Sequence, residues 1–96
     1  MSAIKDVLIE EGYLSEQKLL KEVTLLMAYS RIEQYQAECE YFQDKYKMSL
    51  KKFDDQLHKS GNKEDFQKEE DFEDWEFSSH ALDYWKQKMD DIKRNA

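Results

Sequence analysis

Apolar residues recur along this chain at steps of three and four, the spacing of one helix face, and nowhere alternate long enough to propose a strand. Between Glu16 and about Tyr46, Leu25, Ala28, Ile32, Tyr35, Cys39, Phe42 and Tyr46 form a heptad-like seam lasting three repeats. Leu19, Leu20, Val23, Leu26 and Met27 thicken the apolar surface at its N-terminal end, so this half is expected to face more than one neighbour. A second seam runs through Trp75, Ser78, Leu82, Trp85, Met89 and Ile92, with Phe72 extending it. A shorter segment, about 50–59, would bury Leu50, Phe53 and Leu57.

Local signals place the helix ends. Ser2 is a candidate cap for a short first helix, about residues 3–11, and Gly12 can supply the left-handed residue that stops it. Ser15 follows Leu14 and precedes Leu19 at the fourth helical position, the pairing of a hydrophobic staple; Ser49 repeats the device with Met48 and Phe53. The stretch Ser60, Gly61, Asn62, Lys63 is the clearest loop. The last helix starts between Asp65 and Asp71 and runs to about Lys93, with acids in its first turns and Lys93 and Arg94 at its end, as the helix macrodipole favours. The chain has no proline and only two glycines, so little else interrupts a helix. The expected fold is all-α: one domain, 1–96, with a long helix (about 16–46) and shorter ones in a helical hairpin or coiled-coil-like bundle.

Length adds an expectation about assembly. A helix of 31 residues is roughly 46 Å long, whereas a compact domain of this size has a diameter of roughly 32 Å. The long helix should overhang the rest, and its apolar seam needs covering by a second copy or another protein; self-association through Leu25, Ile32, Tyr35, Cys39 and Phe42, giving a dimer or higher homo-oligomer, is expected.

Charge changes the picture most at one place. Residues 64–76 carry eight acids (Glu64, Asp65, Glu69, Glu70, Asp71, Glu73, Asp74, Glu76) against Lys68, a local charge of −7 that equals the net charge of the whole chain. Phe66, Phe72, Trp75 and Phe77 sit among these carboxylates, and Tyr84 and Trp85 follow. Disordered acidic tails usually lack such rings; here the rings can anchor the segment while carboxylates face outward. An anchored anionic face suits a basic protein partner. The plainer alternative is that acids simply favour a helix N-terminus and the rings are core.

Other chemistry is sparse. Lys45, Lys47, Lys51 and Lys52 form a basic cluster that is expected to be solvated, or to pair with the acidic segment of its own chain or of a neighbour. The acidic balance argues against nucleic acid as the main ligand. Glu76 and His80 are four apart and could form half a metal site, but a carboxylate-bridged bundle needs a second such pair and none exists. Cys39 lies on the seam and reads as a small apolar residue rather than a nucleophile; as the single cysteine it fits a reducing compartment, so a cytoplasmic location is expected. No apolar run approaches the roughly 20 residues that span a bilayer, and the N-terminus lacks the pattern of a secretory signal. Neither a catalytic constellation nor a cofactor or metal is expected.

Two blocks carry a family resemblance. Tyr46-Lys47-Met48-Ser49-Leu50-Lys51-Lys52-Phe53 is close to a Y-G-M-S-F-E-E-F pattern, and Asp71-Phe72-Glu73-Asp74-Trp75-Glu76-Phe77, continuing through Ala81-Leu82-Asp83-Tyr84-Trp85, resembles D-(Y/F)-x-E-W-E-(F/W)…A-L-x-Y-W. Together they resemble small prokaryotic antitoxin-like proteins of two-gene toxin–antitoxin pairs, over roughly residues 41–90. Lys47 stands in place of the pattern's glycine, and Lys51 and Lys52 in place of its acids. The resemblance implies a small toxin partner that acts on RNA. The expected function is therefore an antitoxin-like protein that neutralises a small basic toxin by covering its active surface, through Glu69, Glu70, Phe72, Glu73, Asp74, Trp75 and Glu76. The alternative is a structural helical oligomer or adaptor whose acidic segment only keeps it in solution.

Overall fold

In a computed structural model, which describes residues 3–12, 15–59 and 65–94, four helices follow one another: α1 (Ala3–Glu10), α2 (Glu16–Tyr46), α3 (Leu50–Lys59) and α4 (Phe66–Arg94). All regular structure among the described residues is helical. The capping signals explain the ends. Ser15 Oγ accepts the Lys18 amide at 3.2 Å, and Ser49 Oγ accepts the Lys52 amide at 3.2 Å. Gly12 adopts φ 89° and closes α1 through its N–H to the Ile9 carbonyl at 3.0 Å. Asp65 settles the start of α4: its carboxylate accepts the Lys68 amide at 3.1 Å, so the helix begins at Phe66. The expected cap at Ser2, the Leu14 half of the first staple and the loop at 60–63 lie outside the described residues.

α2 and α4 pack side by side in an antiparallel hairpin. Lys45 and Tyr46 meet Asp71, Phe42 meets Trp75, Glu38 meets Ser78, and Lys93 lies over the Tyr29 ring. The two seams predicted for these helices face each other. Ala28 is fully buried between them, which lets the backbones approach closely. At the closed end, α3 folds back onto α4, and Phe42, Phe53 and Trp75 form the centre of the core, with Cys39, Tyr46, Met48, Leu50 and Phe72 packed around them. The rings contact one another directly: Tyr46 stacks on Phe53 at 4.2 Å between centroids, Phe53 lies 5.6 Å from Trp75, and Phe42 stacks on Trp75 at 5.8 Å. Packed aromatic pairs add stabilisation beyond the area they bury.

The opposite end is open. α1 buries none of its residues and makes no substantial contact with the other helices. The molecule measures 63 × 27 × 18 Å, with a radius of gyration of 19.7 Å, against about 12–13 Å for a compact chain of this length. The molecule is thus elongated rather than globular, and α2 runs past the end of α4 only by its first turns. The seam proposed for self-association is not free, however. Phe42 is buried in the chain's own core, and Leu25, Ile32, Tyr35 and Cys39 are half-buried on the same face, against α4. A 29-residue α4, nearly as long as α2, covers that seam from within the chain. None of the helices among the described residues is long and apolar enough to cross a membrane.

Candidate protein-binding site

From the Asp65 cap onward, the acidic segment continues over the first three turns of α4, and helical geometry divides its side chains between two faces. Asp71, Trp75 and Ser78 repeat at steps of four and three and turn inward, where each is at most 5% exposed. Phe72 lies beside them, half-buried against Phe53 and the His58 ring. Glu70, Glu73, Asp74 and Glu76 are exposed and Glu69 is half-exposed. Among the described residues none of these five carboxylates is held in an ion pair. Two large rings stand on the same outer surface, Phe66 at 80% and Phe77 at 65% exposure, with Tyr84 two turns further on. Phe77 touches Tyr35 of α2 edge-on at 6.0 Å.

The seven residues expected to contact a partner therefore separate. Glu69, Glu70, Glu73, Asp74 and Glu76 share an accessible anionic surface. Trp75 does not belong to it: it is 3% exposed and stacked among Phe42, Tyr46 and Phe53, so it can only support the face from beneath. Phe72 has the same supporting place. In their stead Phe66 and Phe77 supply the exposed apolar area. Trp85 is half-buried beside Tyr84.

Asp71 also departs from the expectation that the carboxylates of this segment face outward. Its Oδ2 accepts from Lys45 Nζ at 2.6 Å and from the Tyr46 hydroxyl at 2.5 Å, and its Oδ1 accepts from Gln67 Nε2 at 3.0 Å. Burial alone would raise its pKa, but the bonds from Lys45, Tyr46 and Gln67 outweigh it and hold the carboxyl below its ordinary value. Burial, joined by the bond to Asp71, pushes the Tyr46 phenol up to about 12. The same hydrogen bond to Asp71 raises Lys45 above its ordinary value. Of the basic cluster, Lys45 thus pairs with the acidic segment of its own chain, whereas Lys47, Lys51 and Lys52 are exposed. The clue to Asp71 was in its spacing: it lies four residues before Trp75, on the apolar seam and off the acidic face.

Catalytic and metal-binding arrangements find little to build on. No group of three or more His, Cys, Asp or Glu among the described residues could hold a metal ion, and His80 is exposed without an ion pair to Glu76. Burial, with Glu38 next, raises the Cys39 thiol, which keeps it protonated. His58 is lifted by its contacts with Asp54, the backbone carbonyl first, and sits 2.6 Å from that carboxylate on an exposed turn. A cavity of about 550 Å³ opens between α3 and the start of α4, with Phe53 and Leu57 in its wall and Lys52, Lys59, Asp55 and Asp65 around it. Its charges are of both signs and select no one ligand.

Compared with known proteins, the chain matches no family model, no curated protein and no solved structure.

Proposed function

We propose that this is an antitoxin-like binding protein, which neutralises a small basic, RNA-targeting toxin by covering its active surface and performs no chemistry of its own. The observation that carries this reading is the outer face of α4. Glu69, Glu70, Glu73, Asp74 and Glu76 lie within two turns, without an ion pair among the described residues, on a helix anchored from behind by Phe72 and Trp75. Intramolecular ion pairs would be expected if these acids served folding; Asp71, which does, shows the contrast. Carboxylates spaced along a rigid helix can occupy positions that phosphates would take in a basic cleft, while Phe66 and Phe77 offer apolar contact at the rim. The family resemblance of residues 46–53 and 71–85 points the same way.

The test is co-expression with a small basic protein encoded beside this chain, followed by pull-down and growth rescue. Replacing Glu69, Glu70, Glu73, Asp74 and Glu76 by Gln or Asn should leave helicity intact, because exposed carboxylates contribute little to folding. It should slow association and flatten its salt dependence, since steering by exposed charges is screened beyond about 8–10 Å at ordinary ionic strength. Replacing Lys51 and Lys52 is the control. Equal binding by wild type and the five-fold variant at low salt would overturn the proposal.

A further inference from the structure

Beyond the acidic face, the largest unexplained feature is at the other end of the molecule. Leu20, Val23, Leu26 and Met27 are 64, 49, 65 and 50% exposed. By helical spacing Val23, Leu26 and Met27 lie on the side of α2 away from Ala28, with Leu20 at its edge beside Ile92 of α4, and α1 does not cover them. We infer that this stripe is the contact through which a second copy of the chain binds, α2 against α2, antiparallel and two-fold symmetric about Val23 and Thr24.

Charge selects the occupant. Residues 3–31 hold four basic side chains (Lys5, Lys18, Lys21, Arg31) and five acidic ones (Asp6, Glu10, Glu11, Glu16, Glu22), a net charge of −1. A basic partner is not steered to such a surface, and a second copy is not repelled by it. The acidic segment, at −7 over residues 64–76, repels its own kind and belongs at the far ends of any dimer. Antiparallel pairing puts it there. Hairpin geometry gives the second reason. Lys93 stands over Tyr29 and Ile92 near Thr24, so α4 runs out about where the stripe begins, and the first turns of α2 have no long helix beside them. Symmetry about Val23 and Thr24 sets Leu20 against Met27 of the second copy, and brings Glu16 opposite its Arg31, one ion pair at each end. The same patch on both subunits is what a closed two-fold interface requires. This contact is independent of the toxin-binding face on α4.

Sedimentation velocity of the full chain should give a species of about 23 kDa, twice the 11.7 kDa monomer, at micromolar concentration. Val23→Glu, at a position already open to solvent, should keep the helical circular dichroism and weaken the dimer at least about tenfold by setting two carboxylates face to face. Glu16→Arg and Arg31→Glu should each weaken it by about threefold or more, and the two changes together should restore it. A wild type that stays monomeric throughout, including one whose stripe is protected only by an added basic partner, overturns the inference. So does a dimer indifferent to Val23→Glu, or a double charge swap that fails to recover.

Discussion

At the closed end of the hairpin, Phe42, Tyr46, Phe53, Phe72 and Trp75 bury one another, whereas at the open end Leu20, Val23, Leu26 and Met27 stay about half exposed or more. Both regions are helical and rich in apolar residues. The difference is the number of elements that converge. Three helices meet at the closed end, so every ring finds a neighbour on two sides. At the open end two helices run together and then one continues alone. An apolar residue on the outer side of a two-helix hairpin has nothing to pack against, however strong its pattern. The two ends also divide the charge: the closed end carries the anionic outer face and the open end is nearly neutral. Stability and display are thus combined at the closed end, where a rigid aromatic base holds the carboxylates of α4 in place.

The largest test of this contrast is a pair of truncations. Trp75→Ala should destabilise the protein by about 3–5 kcal/mol in urea unfolding followed by circular dichroism, because a buried ring is removed from a packed cluster. Leu20→Ala should change stability by no more than about 0.5 kcal/mol in the monomer, since its side chain is already in water. Comparable losses at both positions would break the comparison.

Asp71→Asn comes next, with an expected cost of about 1–3 kcal/mol at neutral pH, from losing charge-assisted bonds to Lys45 and Tyr46. Its pH signature identifies the cause. In the native protein the Asp71 carboxyl titrates below its ordinary value of 3.8, so its contribution is present above about pH 4 and is lost as pH falls through the lower, native value. On the alkaline side Tyr46 and Lys45 titrate above their ordinary 10.0 and 10.5, Tyr46 at about 12. Their contributions are complete below pH 10 and disappear as pH climbs toward 12. Urea midpoints measured across pH should show both falls in the wild type. In Asp71→Asn the acid fall should be smaller.

The smallest effect concerns the turn between α2 and α3. Lys47 ends α2 in the left-handed region, with φ 57° and ψ 35°, and donates its N–H to the Gln43 carbonyl at 2.8 Å. A side chain there costs energy that glycine avoids. Lys47→Gly should therefore stabilise the protein by about 0.5–1 kcal/mol, read as a shift in the urea midpoint at unchanged slope. A loss of stability would mean that the lysine side chain contributes something its exposure does not suggest.

The same position explains one departure from the Y-G-M-S-F-E-E-F pattern. The glycine of the Y-G-M-S-F-E-E-F pattern falls where the backbone turns left-handed, Ser49 is the cap of α3, and Tyr46, Met48, Leu50 and Phe53 enter the core. In the second block Asp71, Phe72 and Trp75 face inward. The two blocks are the two sides of one aromatic core, and their apolar positions serve folding. Under the proposed function, recognition falls to the outward acids Glu69, Glu70, Glu73, Asp74 and Glu76.

Much of the fold was determined by sequence alone, because helix period, serine caps and the absence of proline act over a few residues and need no distant partner. The start of α2, the turn at Gly12 and the extent of α3 follow from those local signals. The acidic face was legible in the same way, as charge density along a short stretch. Only the tertiary structure decided which residues the two seams would cover. Leu25, Ile32, Tyr35, Cys39 and Phe42 read as an interface between copies, yet they face α4 of the same chain. A heptad seam specifies an apolar partner without specifying whose it is. Spacing puts Asp71 on the seam, but nothing in the run of acids names its partners: Lys45 and Tyr46, 26 and 25 residues away in sequence, meet it only where the hairpin closes. Periodicity is a property of one helix, and burial is a property of at least two.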